Sequence, residues 1–376
     1  MEELIQLRKE LHRNPEVSGK ETKTAQRILT FLSEYKPNEV ITHLGGEGIL
    51  AVYQGKTEGK TVLFRCELDA LPITEINTFE HQSIYSGVSH KCGHDGHMAI
   101  VCGLAKKLAV QPLEKGTVLL LFQPSEEEGN GAKNVLDDPK FKNIQPDFAF
   151  ALHNLPGYPK HQIVIKEGTF TCAVHSMIIQ LNGKTAHAGE PEKGINPALA
   201  IAQIVTTFNS KINTDVRSNA YCLITPIHIT MGEKAYGVSA GYGEVHFTVR
   251  SNSNLNMKNI AVALEKEANT IASSFGLTTE IHWTQSFQAN ENDPKAVHYI
   301  KKATATLGYN LLEKELPFTF GEDFGWFTQK IKGAMLGLGA GEEIPALHNP
   351  DYDFPDDIIT TGIQLFHQIS KEILDA

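Results

Sequence analysis

The run Thr117-Val118-Leu119-Leu120-Leu121-Phe122 passes directly into Gln123-Pro124-Ser125-Glu126-Glu127-Glu128-Gly129, and this junction decides how the chain is read. An apolar run without polar alternation fits a strand buried on both faces, as in a parallel or mixed sheet covered by helices. The same signature recurs in Gly48-Ile49-Leu50-Ala51-Val52-Tyr53, Thr61-Val62-Leu63-Phe64-Arg65 and Phe148-Ala149-Phe150-Ala151-Leu152. Near the start, Ala25, Ile28, Leu29 and Leu32 repeat at helical spacing behind Ser18-Gly19-Lys20-Glu21, which reads as a capping box. The expectation is an α/β domain with a mixed central sheet flanked by helices.

From about Phe170 the pattern changes to alternating strands, beginning with Ala173-Val174-His175-Ser176-Met177-Ile178-Ile179-Gln180-Leu181 and a turn at Asn182-Gly183. A helix over 196–208, strands through Arg250, a helix over 257–274 and a strand near 279–283 complete a smaller α+β unit of ferredoxin-like type. After Ser286, helices and Gly-rich turns return. The predicted organisation is a first domain, residues 1–171 and 287–376, interrupted by an inserted second domain, residues 172–286.

A chain of 376 residues exceeds what one hydrophobic core serves, so two domains agree with its length. The net charge of −10 and the lack of a basic stripe argue against nucleic acid as a partner. No apolar run reaches the ~18 residues of a membrane span. Charged residues within Met1–Glu10 do not fit a secretory signal. The five scattered cysteines, an odd number, predict reduced thiols in the cytoplasm rather than a disulfide framework.

Cys92-Gly93-His94-Asp95-Gly96-His97 brings a thiol, two imidazoles and a carboxylate into one short stretch. Alone it is also what a loop with a buried cysteine and surface histidines would look like. Three consecutive glutamates are often a solvated turn, and a lone histidine is often only a hydrogen-bonded strand end. Yet Glu126-Glu127, His153-Asn154 and His348-Asn349 each follow an apolar run or glycine-rich turn, where α/β enzymes place reactive groups. Together they supply Cys, His, Glu, His and His, a donor set suited to zinc, manganese or cobalt.

These motifs, with Leu7-Arg8-Lys9-Glu10-Leu11-His12-Arg13-Asn14-Pro15-Glu16, Asp69-Ala70-Leu71-Pro72-Ile73 and Gly321-Glu322-Asp323-Phe324, span essentially the whole chain. The sequence resembles the aminoacylase/hippurate-hydrolase-like metallo-amidohydrolases, whose relatives include N-acetyldiaminopimelate deacetylases, auxin-conjugate hydrolases and aminoacyl carboxypeptidases. The resemblance implies two divalent metal ions (zinc, manganese or cobalt) held by Cys92, His94, Glu127, His153 and His348. It makes Glu126 the general base and acid, and puts Asp69 behind a ligating imidazole. His187, in Gly183-Lys184-Thr185-Ala186-His187-Ala188-Gly189, would stabilise the oxyanion, often across a dimer interface. Arg250 would bind the substrate carboxylate through its guanidinium fork. The bland readings of these two are a turn histidine and a strand-end surface arginine.

The implied substrate is an N-acyl amino acid or similar small carboxylate-bearing amide; the resemblance makes residues 1–171 and 287–376 the catalytic domain and residues 172–286 a lid or dimerisation domain, and implies a homodimer through the latter. A dipeptidase or carboxypeptidase is the alternative, with a non-catalytic metal-binding protein behind it. Three departures stand out. Arg65-Cys66-Glu67-Leu68-Asp69 replaces the usual Arg-Ala-Asp-x-Asp, Pro191-Glu192 replaces a Pro-His, and Gly237-Val238-Ser239-Ala240 replaces an Asn-Val-Ile-Pro stretch.

Overall fold

In the computed structural model the first part of the chain alternates helices and strands. The elements are α1 (Glu2–Arg13), α2 (Thr22–Glu34), β1 (Glu39–Leu44), β2 (Gly48–Gln54), β3 (Thr57–Glu67), α3 (His94–Val110), β4 (Lys115–Gln123), α4 (Gly131–Asp137), β5 (Phe148–Pro156), β6 (Ile163–Ile165) and β7 (Gly168–Thr171). The middle contains β8 (Ala173–Asn182), β9 (Ala186–His187), α5 (Ala198–Asn209), β10 (Leu223–Met231), β11 (Val238–Ser239), β12 (Tyr242–Ser251), α6 (Asn254–Ser274) and β13 (Thr278–Phe287). The last part adds β14 (Asn290–Asn292), α7 (Pro294–Leu307), β15 (Leu311–Glu313), α8 (Gly325–Thr328), β16 (Gly333–Gly341) and α9 (Ile359–Leu374). The structure describes residues 1–375.

Two compact units result. The first comprises Met1–Phe170, Asn290–Glu315 and the chain from Glu322 onward; the second comprises Thr171–Ala289 and Leu316–Gly321. The short stretch Leu316–Gly321 and residues 287–289 therefore cluster with the second unit, although the sequence groups them with the chain that follows it.

The first unit is built on an eight-stranded mixed sheet in the order β1-β2-β4-β3-β5-β16-β6-β15. Strands β4, β3, β5 and β16 run parallel to their neighbours in this series. Val62, Phe64 and Cys66 of β3 join the apolar cluster made with α1, α2, α3, α7 and α9. Arg65 and Glu67, out of phase by one residue, fall on the other side of the strand, and both are buried. Helix α1 buries Leu4, Leu7, Arg8, Leu11 and His12, one stripe at helical spacing. Because β3, β4, β5 and β16 point the same way, their C-terminal ends lie along one edge of the sheet, where ligands bind in open α/β folds.

The capping box expected at Ser18–Glu21 does not form. Helix α2 starts at Thr22, and Glu21, its N-cap residue, makes no side-chain capping bond. The Glu21 carboxylate instead accepts from the backbone N–H of Ser125 at 2.8 Å. A charge-assisted bond to the loop after β4 has won over a local cap.

The second unit has a four-stranded antiparallel sheet, β10-β12-β8-β13. Its strand–helix–strand–strand–helix–strand order is the ferredoxin-like arrangement. Met177, Ile179, Leu181, Val245, Phe247 and Val249 project from alternate strand positions into a core closed by α5 and α6. Strand β10 is an edge strand on which Ile227, Ile229 and Met231 are 61%, 50% and 40% exposed.

Candidate metal centre

The thiol–imidazole motif lies at the start of α3. Gly93 caps the helix in the left-handed conformation, with φ of +93°. A Cβ there would sit 2.7–2.9 Å from the side chain of Asn154. The Gly93 turn lets the chain enter the helix at His94 while Cys92 stays outside it. Gly96 is already helical, and its missing Cβ makes room for the Phe354 ring.

Around this turn, overlapping groups gather their ligand atoms within 4.8 Å, among them Cys92, His94 and His153; Cys92, Glu127 and His348; His94, Glu126 and Glu127; and Glu67, His94 and His97. All five residues that the resemblance nominates as ligands, together with Glu126, therefore come together. Cys92 Sγ is 3.4 Å from His153 Nε2. His94 Nε2 is 3.8 Å from Glu127 Oε1 and 3.9 Å from Glu126 Oε2. His348 reaches the group from a turn with φ of +66°, its backbone N–H donating to Lys91 O at 2.8 Å.

Hydrogen bonds on the far side of each ring fix which nitrogen faces the cluster. His94 Nδ1 lies 2.8 Å from the backbone carbonyl of Asp69, and His153 Nδ1 lies 2.9 Å from the carbonyl of Asn154. A carbonyl only accepts, so both Nδ1 atoms carry the proton and both Nε2 atoms present a lone pair. Asp69 thus orients His94 through its main chain. Its carboxylate oxygen Oδ1 is farther away, at 3.6 Å, while Oδ2 accepts from Ser18 Oγ at 2.7 Å and from the Glu127 N–H at 3.0 Å. That carboxylate positions the turn that bears Glu127, while the imidazole is held by the main chain.

His94 Nε2, Glu127 Oε1 and Asp69 Oδ1 are buried and have no hydrogen-bond partner. Burial lifts the Cys92 thiol, with the Glu127 charge pushing the same way. Burial also raises Glu127 to about 7 and lowers His153 to about 3. An unpartnered imidazole nitrogen on His94 and an unpartnered carboxylate oxygen on Glu127, beside the Cys92 thiol and the His153 imidazole, are the chemistry of a divalent cation site. The residues fit the two ions.

Glu126 and Glu127 stand side by side on the turn but face different neighbours. Ser125, just before them, is held at φ of +55° by the Glu21 carboxylate. Glu126 Oε1 accepts from the Asp323 N–H at 3.3 Å. Burial raises its carboxyl well above the ordinary range, and the charges of Glu322, Glu127 and Asp323 push it further. A buried carboxylate beside metal ligands with a raised proton affinity is suited to taking a proton from water and returning it.

Sequence reasoning missed the charged layer behind the site. Arg65 is fully buried and pairs with Glu67, Glu322 and Asp323. Asp323 also accepts from Gln123 Nε2 at 2.9 Å and from the Ala132 N–H at 2.8 Å. The sequence does show that Arg65 and Glu67, at alternate positions of one strand, must share a face, but not that Glu322 and Asp323 meet them there.

His187 and Arg250 belong to the second unit. His187 pairs with Val238 between β9 and β11, and its Nδ1 accepts from the Gly189 N–H at 3.0 Å. Arg250, at the end of β12, donates from Nη1 to the carbonyl of Thr319 at 2.7 Å.

A model of peptidase family M20/M25/M40 matches residues 63–372. An N-acetyldiaminopimelate deacetylase of Listeria innocua is 31% identical over 359 residues, 93% of this chain and 93% of the relative. An N-acetylcysteine deacetylase of Bacillus subtilis is 29% identical over 374 residues, 99% of this chain and 97% of the relative. A solved structure from Bacillus subtilis, a dinuclear metal-binding peptidase from the M20 family, superposes with a TM-score of 0.83 at 27% identity, covering 100% of this chain and 98% of that one.

Proposed function

The chain belongs to peptidase family M20/M25/M40, and on that premise we propose that it hydrolyses the amide bond of an N-acyl amino acid, or a similar small carboxylate-bearing amide, with two divalent metal ions as cofactors. The observation that carries the reading is the convergence of orphaned buried ligand atoms, His94 Nε2 and Glu127 Oε1, beside the Glu126 carboxylate.

Cys92, His94, Glu127, His153 and His348 would hold the ions, which when bound supply an acidified water and a polarised carbonyl. Glu126, anchored through Oε1 by the Asp323 N–H, has Oε2 free to take a proton from the attacking water. As the C–N bond breaks, the same oxygen returns that proton to the departing nitrogen, leaving a carboxylic acid and an amine, and transfer of the acid proton to the amine gives carboxylate and ammonium. Asp69 and Ser18 keep the Glu127 turn in register with His94.

For His187 the reading assigns oxyanion stabilisation and for Arg250 the substrate carboxylate. His187→Ala should then lower kcat with little change in KM, and Arg250→Ala should raise KM chiefly for substrates carrying a free carboxylate. The exposed apolar residues of edge strand β10 support a homodimer formed by strand pairing through the second unit. Five buried free cysteines, one of them a proposed ligand, support a reducing cytoplasmic setting. Among the described residues no helix is long and apolar enough to cross a membrane.

The deciding experiment couples elemental analysis of the purified protein to amine release from a panel of N-acyl amino acids and dipeptides, with and without added zinc, manganese or cobalt. About two ions per chain and metal-dependent release from the N-acyl substrates are expected. Release from the dipeptides alone would move the assignment to a dipeptidase, and failure to take up metal would overturn it.

A further inference from the structure

His97 shares the thiol–imidazole motif with Cys92 and His94 but has no part in the proposed chemistry. It lies one helical turn beyond His94 on α3 and is 1% exposed. Its Nδ1 is 2.7 Å from Glu67 Oε2, and its Nε2 is 2.5 Å from Asn154 Oδ1 and 3.3 Å from the Asn154 backbone nitrogen. Both ring nitrogens are therefore engaged by protein groups. Glu67 is fully buried and is itself held by the Arg65 guanidinium.

Asn154 is where this chain of contacts meets the ligands. Its side chain packs on Gly93, between Cys92 and His94, and bonds to the Tyr352 hydroxyl. Its carbonyl receives the Nδ1 proton of His153. One residue thus touches the backbone of the Cys92 turn and sets the tautomer of His153, and the His97 ring holds that residue from below.

We propose that His97, oriented by Glu67, is a positioning residue that acts through Asn154 to fix the Cys92 thiolate and the His153 imidazole relative to each other. It is not itself a ligand. The inference rests on the metal-centre reading above. It also gives a role to Glu67 in place of the shorter aspartate of the resemblance: the carboxylate spans from the Arg65 guanidinium to the His97 ring. Glu67→Asp, one methylene shorter, would hold one of these partners and release the other.

The test uses the full chain with cobalt as probe, because cobalt reports thiolate and imidazole coordination in its visible spectrum. Loss of an outer partner of a metal ligand typically weakens binding about 10–100-fold. His97→Gln and Glu67→Gln should each weaken cobalt binding within that range and shift the thiolate-to-cobalt band, with two ions still taken up at saturation. Because the two residues act in series, the double variant should be no weaker than either single variant. Glu67→Asp should shift the same band. An unchanged spectrum and affinity in folded His97→Gln would overturn the proposal, as would loss of one ion at saturating cobalt, which would make His97 a ligand.

If the unmodified protein takes up no cobalt, the metal reading fails separately. The positioning claim is then read in metal-free protein from the rate at which a thiol reagent modifies Cys92, located by peptide mapping. His97→Gln should raise that rate, and an unchanged rate would overturn the claim.

Discussion

At the scale of single residues, neighbouring carboxylates are told apart by what each one faces. Glu127 Oε1 is unpartnered among the ligand atoms, whereas Glu126 is anchored by a main-chain N–H. Glu126→Gln should therefore cut turnover by ~10²-fold or more while metal content stays near two per chain. Cys92→Ala should lose metal as well as activity. Elemental analysis beside the amine-release assay separates the outcomes, and full turnover by Glu126→Gln would refute its role as base.

A second residue-scale consequence concerns His12, fully buried between Asp95 and Glu75 at 2.9 Å from each. Burial opposes its charge, but the hydrogen bonds to Asp95 and Glu75 outweigh that and raise it to about 9. Burial pushes Glu75 up, but its bonds to His12 and Lys91 pull it down to about 2. A raised histidine contributes stability that is complete below its unfolded value near 6.5 and is lost as pH rises through about 9. The lowered Glu75 contributes above about 4.5 and loses its effect as pH falls through about 2. Thermal unfolding should thus show a Tm that falls between pH 7 and pH 10, and His12→Asn should flatten that part of the profile. The same slope in the variant would mean that another group titrates.

At the scale of elements, the site depends on how α3 begins. The left-handed Gly93 is both a conformational requirement and a close approach to Asn154. Gly93→Ala forces a Cβ against that side chain and should destabilise the first unit by ~1–3 kcal/mol. Metal affinity should fall with it, read by denaturant unfolding and cobalt titration. Ser125 and His348 also have positive φ without being glycine, so each is held by its surroundings, Ser125 by Glu21 and His348 by the Lys91 carbonyl.

These dependencies mark the limit of what the sequence discloses. Uninterrupted apolar runs reveal strands β2 to β5 because burial on both faces leaves no polar alternation to misread. The donor residues are legible because chemistry restricts which side chains bind a cation. The Arg65 layer and the His97 contacts are not, since they join positions far apart in sequence and only the folded sheet brings Arg65 to Asp323. The capping box was misread for the same reason: Glu21 had a distant partner better than its local one.

At the scale of the whole molecule, the proposed homodimer rests on the exposed apolar edge of β10. Sedimentation should show a dimer at micromolar concentration. Ile229→Lys puts a charge on that edge without entering either core and should shift the equilibrium towards monomer by at least ~10-fold in Kd. A monomer before the substitution would remove the edge from consideration.

The position of β16 carries one more consequence. It lies between β5 and β6, both of which precede the middle of the chain, and His348 follows it. Chains generally fold domain by domain as they are synthesised. The leading segment of this chain carries β5 and β6 without the strand that separates them in the complete sheet, and four of the five proposed ligands but not the last. On the proposed ligand set, cofactor capture would be tied to completion of translation, because a chain that stops before β16 lacks both the strand between β5 and β6 and the proposed ligand His348.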